Sequence, residues 1–159
     1  MDWKPELDAI VGSRHGGQIT HVLDLLKKLD ARFPHVAEIN YQLAWTCEVL
    51  GREAEALPYY EKAIALGLPP NELSGALLGL GSTLRALGQF ARSAEVLRSG
   101  QAQFPENREF DAFLALTLHD LGQHAEALKL LLLLVADTAE DPGLTAYQRA
   151  LRHQAARLK

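Results

Sequence analysis

The chain has 159 residues, of which 48% are hydrophobic and 23% charged, and its formal net charge is −4. This length suits one domain with a real core. The mildly acidic balance argues against a general nucleic-acid binder, which needs a basic face. One cysteine, Cys47, excludes an internal disulfide. The N-terminus does not read as a secretory signal, and the longest apolar run, Leu130–Ala136, is too short to span a bilayer. We therefore expect a cytoplasmic protein with no membrane partner.

Glycines recur along the chain at nearly constant spacing. The intervals are 34, 37 and 34 residues between Gly17, Gly51, Gly88 and Gly122. Nine residues after each glycine stands a large apolar residue: Leu26, Tyr60, Leu97 and Leu131. An internal repeat of this period predicts supersecondary units that bury their apolar faces by stacking.

Each repeat is predicted to be a helical hairpin. About fourteen residues of helical periodicity precede each glycine, and a second amphipathic stretch follows it. Glycine accepts the left-handed conformation that ends a helix. Pro34 and Pro105 end two of the second helices, because proline cannot continue a helix.

Local departures appear in chain order. Pro5, Gly12 and Gly16 weaken the first helix of the first repeat, which we expect to be short. Pro58 falls inside the second helix of the second repeat and predicts a slight bend. Three extra residues, Asn71–Leu73, separate the second and third repeats.

The pattern resembles the tetratricopeptide repeat family. The resemblance rests on the turn glycine, the small residue five positions later, the large apolar residue nine positions later, and three Leu-small pairs: Leu43-Ala44, Leu80-Gly81 and Leu114-Ala115. It implies one all-α domain over residues 1–159, a right-handed superhelical solenoid of four hairpins with a C-terminal capping helix. The implied repeats cover about 3–36, 37–70, 74–107 and 108–141, and the capping helix about 143–158.

Residue patterns for catalysis are missing from the sequence. There is no phosphate loop, HExxH or GxSxG motif. We therefore predict that the protein is not an enzyme and needs no cofactor or metal. His119 and His124 straddle a turn glycine and are interpreted as two solvated histidines. Cys47 is interpreted as a buried small hydrophobe.

In this family the first helices line a concave groove that binds a peptide or a partner protein. The lysines and asparagines with which family members grip a terminal carboxylate are missing here, so binding of chaperone C-terminal tails is not expected. The aromatic and glycine residues at groove positions lead us to expect a partner with an apolar anchor. The resemblance implies these groove residues: Tyr41, Gln42, Trp45, Gly75, Leu78, Gly79, Ser82, Arg85, Phe113, Leu116 and His119.

Two interpretations of the groove remain open. Tyr41 and Trp45 lie one turn apart, and such aromatics are favoured interface anchors. Gly75 and Gly79 are also one turn apart. In the first interpretation these glycines form the bottom of a pocket, with the two aromatics on one side and the apolar pair Phe113 and Leu116 on the other. Alternatively, the glycines only allow helices to pack closely.

A second candidate surface lies on the last repeat. Its second helix has Leu132 and Leu133 where the earlier repeats have mostly charged residues. Exposed apolar patches commonly mark interaction sites. The predicted function is thus a non-catalytic scaffold or adaptor that binds protein in its groove. The alternative is a homo-oligomeric structural protein that associates through this apolar repeat.

Overall fold

The computed structural model describes residues 2–159, except for the side chain of His15. Within this range the chain forms ten α-helices and no strand. The helices are α1 (Lys4–Gly12), α2 (Ile19–Arg32), α3 (Ala37–Val49), α4 (Glu53–Leu66), α5 (Pro70–Ala86), α6 (Phe90–Gln103), α7 (Glu109–Asp120), α8 (His124–Thr138), α9 (Pro142–Ala146) and α10 (Gln148–Ala156). The predicted all-α class is confirmed.

Turn glycines end three of the helices in the predicted way. Gly51, Gly88 and Gly122 have φ angles of 72°, 77° and 79° and follow α3, α5 and α7. After α3, the backbone N–H of Arg52 donates to the carbonyl of Cys47 over 2.9 Å, which satisfies one of the free carbonyls at the helix end. A side chain with a Cβ would be strained at these glycines.

The first repeat differs from this pattern. Gly17 is not among the glycines with positive φ, so the prediction of a left-handed glycine turn is wrong there. Instead, a 3₁₀ turn at Ser13–His15 follows α1 directly. This turn places Arg14 at the junction between α1 and α2.

Three predicted irregularities have different outcomes. Helix α4 runs without a break through Pro58. The extra residues Asn71–Leu73 lie inside α5, which starts at Pro70 and has 17 residues, so the insertion lengthens a helix and not a loop. The single capping helix predicted at 143–158 is instead two helices, α9 and α10, which meet at Tyr147.

The structure groups into two compact units, one ending at Leu87 and one spanning Gly88–Lys159. In the first unit, the core includes Leu26, Leu43 and Tyr60, each with no exposed surface. In the second unit, Phe110 is fully buried against Gly100, where a Cβ would meet the phenyl ring closer than 3.0 Å. The predicted organisation as one domain stays a prediction.

Candidate partner-binding surfaces

Helix α3 presents a polar and aromatic cluster that includes three predicted groove residues. Tyr41, Gln42 and Trp45 are each partly buried. The guanidinium carbon of Arg14 lies 3.9 Å from the ring centroid of Trp45. One terminal nitrogen of Arg14 donates to Gln42 Oε1 over 2.8 Å and to Thr46 Oγ1 over 3.0 Å. The first repeat therefore covers part of the Trp45 ring with a cation.

Arg14 itself is buried, with 8% of its surface exposed. Burial lowers the pKa of its guanidinium to about 10. Its Nε is buried without a hydrogen-bond partner among the described residues. Burying a cation is costly, and both the Trp45 ring and the two neutral acceptors offset part of that cost.

Arg14 is a candidate site residue that was not predicted from the sequence. It occupies the twelfth position of the first repeat, one of the positions that face the groove in this family. Its predicted helix, at residues 3–16, is the one with the weakest helical pattern in the sequence. The sequence did contain a signal for Arg14. It is a basic side chain at a groove position in the repeat next to the one that carries Trp45.

The two glycines of α5 receive tyrosine side chains within the first unit. A Cβ at Gly79 would lie closer than 3.0 Å to three atoms of the Tyr60 ring and hydroxyl. A Cβ at Gly75 would collide with the hydroxyl oxygen of Tyr41. These contacts favour the close-packing interpretation of both glycines. The glycine-floored pocket stays a prediction.

A partly buried hydrogen bond joins α4 to α3 next to these glycines. The hydroxyl of Tyr60 donates to Glu48 Oε2. Burial raises the pKa of Glu48, and the hydrogen bond from Tyr60 opposes part of that rise. Burial, with the adjacent Glu48 carboxylate, also raises the pKa of Tyr60. The pair fixes the Tyr60 ring against α5.

The other predicted groove residues lie in both units. In α5, Leu78, Ser82 and Arg85 are partly buried. In α7, Phe113 is partly buried, whereas Leu116 is 45% exposed and His119 is exposed. A pocket lined by both the α5 residues and the α7 residues stays a prediction.

Two exposed histidines touch at the turn between α7 and α8. His119 Nδ1 and His124 Nδ1 lie 2.8 Å apart, a hydrogen-bond distance. The sequence interpretation treated them as separate, but the turn at Gly122 brings the end of α7 against the start of α8. Two nitrogens are fewer than a structural metal site needs. Within residues 2–159 as described, no three His, Cys, Asp or Glu side chains group as metal ligands.

The apolar surface of α8 differs from the predicted one. Leu132 and Leu133 are partly buried. The exposed residues are instead Leu128, Leu131 and Val135, at 47%, 41% and 39%. Self-association through Leu132 and Leu133 stays a prediction.

Helix α10 packs against α8. Arg152 donates to Asp137 Oδ1 over 2.8 Å, and Gln148 Nε2 donates to the carbonyl of Ala136 over 2.6 Å. Away from this contact, α7 and α8 enclose a shallow cavity of about 250 Å³. It is lined by Ala115, Leu116, His119, His124, Ala127, Leu128 and Leu131.

The repeated hairpins and their turn glycines define an all-α repeat protein. The sequence profile of the family described as Tetratrico peptide repeat matches residues 37–158. The chain therefore belongs to the tetratricopeptide repeat family, which confirms the predicted resemblance. Membership of this family supports a protein-interaction scaffold in general terms.

Solved structures of MamA have a similar fold. A "Crystal structure of MamA" has a TM-score of 0.74 and 18% identity, covering 92% of this chain and 87% of that chain. A "Crystal structure of MamA protein" has a TM-score of 0.72 and 19% identity, covering 82% and 69%. The structure "MamA RS-1 ArsTM double mutant" has a TM-score of 0.70 and 18% identity, covering 99% and 96%. At such identity the likeness shows the fold alone. No curated protein sequence matches the chain.

None of the described helices combines the length with the apolar character needed to cross a bilayer.

Proposed function

We propose that the protein is a non-catalytic scaffold that binds a peptide or a partner protein on the surface formed by α3 and α5. The observation that carries this proposal is the cluster of Arg14 and Trp45 at groove positions. Trp and Arg are the residue types most enriched where binding energy concentrates. Here the ring of Trp45 is held by Arg14 and remains partly accessible.

The cluster suits a partner with an apolar anchor. Trp45 and Tyr41 offer large aromatic surfaces at low entropic cost. Arg14 lies buried behind this surface, where it donates hydrogen bonds to the neutral side chains Gln42 and Thr46 and packs on the Trp45 ring. The surface therefore offers a partly accessible aromatic ring held in place from behind, which a peptide with an apolar side chain would match.

A peptide selection tests this function. Peptides are selected from a random library displayed on phage against the immobilised protein, and the strongest binder is synthesised and measured by calorimetry. Trp45→Ala should weaken its binding at least tenfold, and Trp3→Ala is the matched control because it removes the other tryptophan. Far-UV circular dichroism checks that both variants fold.

Two outcomes would contradict the proposal. One is a library that yields no peptide at all. The other is a peptide that binds Trp45→Ala as tightly as the wild type, since the contact would then lie elsewhere on the chain.

A further inference from the structure

The last hairpin leaves open a face that is covered in an earlier hairpin. In the glycine register, Leu131 of α8 is equivalent to Tyr60 of α4. Tyr60 has no exposed surface because it packs under Gly79 of α5. Leu131 is 41% exposed. The equivalent position thus changes from core to surface at the end of the array.

The neighbouring positions show the same change. Leu128 is equivalent to the partly buried Leu57 and is 47% exposed. Val135 is equivalent to the partly buried Ile64 and is 39% exposed. Helix α10 packs on α8 through Gln148 and Arg152 but leaves these side chains exposed. We define the terminal apolar face by its exposed residues Leu116, Leu128, Leu131 and Val135.

From these observations we propose that the terminal apolar face binds the same face of a second copy of this chain, around a twofold axis. The residues that line the cavity on this face include no Asp, Glu, Lys or Arg. A twofold contact sets each surface against its own copy, so an uncharged face avoids opposing like charges.

A head-to-tail contact fits the charges less well. It would set this face against α1 of another copy, whose exposed residues include Lys4, Glu6 and Asp8. These charges form the exposed ion pairs Lys4–Asp8 and Glu6–Arg32, and covering them with leucines would remove both pairs from water at a desolvation cost. The second copy's own terminal apolar face supplies a matching apolar surface.

The size of the face predicts a weak dimer. Helices α7 and α8 are at most about 22 Å long, and at a spacing of about 9 Å the pair is roughly 18 Å wide. Their common face therefore has an area on the order of 400 Å² per copy. The total of roughly 800 Å² is below the ~1,200 Å² that marks the lower end of stable interfaces. We therefore expect a dissociation constant in the range of roughly 10 to 500 µM.

Sedimentation equilibrium over this concentration range tests the proposal. The wild type should pass from monomer to dimer. Leu131→Glu should stay monomeric, whereas Leu66→Glu, an equally exposed leucine at the end of α4, should dimerise like the wild type. Circular dichroism checks folding, and Leu128→Glu replaces Leu131→Glu if that variant misfolds.

A charge-pair experiment tests the twofold geometry. We place the twofold axis beside Leu131, so that this residue faces its own copy. Leu131→Glu and Leu131→Lys should therefore each be monomeric alone and should form a mixed dimer when combined. A wild type that stays monomeric throughout the range overturns the proposal. So does a dimer that survives Leu131→Glu, or a species that grows beyond the dimer, since the latter would indicate head-to-tail stacking. The test needs no peptide, so its result is independent of groove binding.

Discussion

Alanine substitutions at the two glycines of α5 should change the free energy of unfolding by different amounts. Gly75 and Gly79 lie one turn apart in the same helix. Alanine gains about 0.5–1 kcal/mol of helix propensity over glycine at either position. The two variants therefore differ only in what the added methyl group meets.

At Gly79 the methyl group meets a rigid neighbour. The Tyr60 ring is fully buried and its hydroxyl donates a hydrogen bond to Glu48, so the ring cannot move away from the added methyl group. Overpacking a core costs about 1–3 kcal/mol, and three contacts under 3.0 Å argue for the upper half of that range. After the propensity gain is subtracted, Gly79→Ala should lose about 1–2.5 kcal/mol of unfolding free energy.

At Gly75 the methyl group meets the end of a side chain that can move. The Tyr41 hydroxyl terminates a partly exposed ring, which can shift by rotation about its χ angles. The gain in helix propensity roughly balances the cost of the remaining contact with Tyr41. The unfolding free energy of Gly75→Ala should therefore lie within about 0.5 kcal/mol of the wild-type value.

Urea unfolding followed by circular dichroism measures both free energies. Tyr60→Leu provides the internal check, because leucine stands at the equivalent position in the other three repeats. In the Tyr60→Leu background, Gly79→Ala should no longer destabilise. A Gly79→Ala variant as stable as Gly75→Ala would refute the close-packing argument.

Two more predictions concern Glu48 and Gly51. Because burial raises the folded-state pKa of Glu48, the wild type should lose stability as pH rises from the ordinary glutamate value of 4.5 through the folded value. Glu48→Gln keeps an acceptor for Tyr60 and should escape that loss. Urea titrations should therefore show that the unfolding free energy of the variant, relative to the wild type, increases with pH and that this gain vanishes in acid. A difference in unfolding free energy that stays constant with pH would contradict this. Gly51→Ala, at a φ of 72°, should cost about 1 kcal/mol, whereas Gly12→Ala, in open helical space, should not destabilise. Thermal unfolding compares the two, and equal effects would argue against left-handed strain.

The sequence by itself determined the helices and the family. Helical periodicity and turn glycines act over a few residues, so Gly51, Gly88 and Gly122 could be read as helix ends without coordinates. The first repeat was the exception, because a 3₁₀ turn at Ser13–His15 replaces the glycine turn. The extra residues Asn71–Leu73 were found, but nothing local indicated that they lengthen α5.

Only the tertiary structure decided which side chains meet. Arg14 reaches Trp45 across 31 positions of sequence, and Tyr60 reaches Gly79 across 19. Likewise, Leu131 is exposed although its equivalent Tyr60 is buried, because α10 does not cover it as α5 covers Tyr60. A repeated sequence specifies the same hairpin each time, whereas burial depends on the neighbour that packs on it.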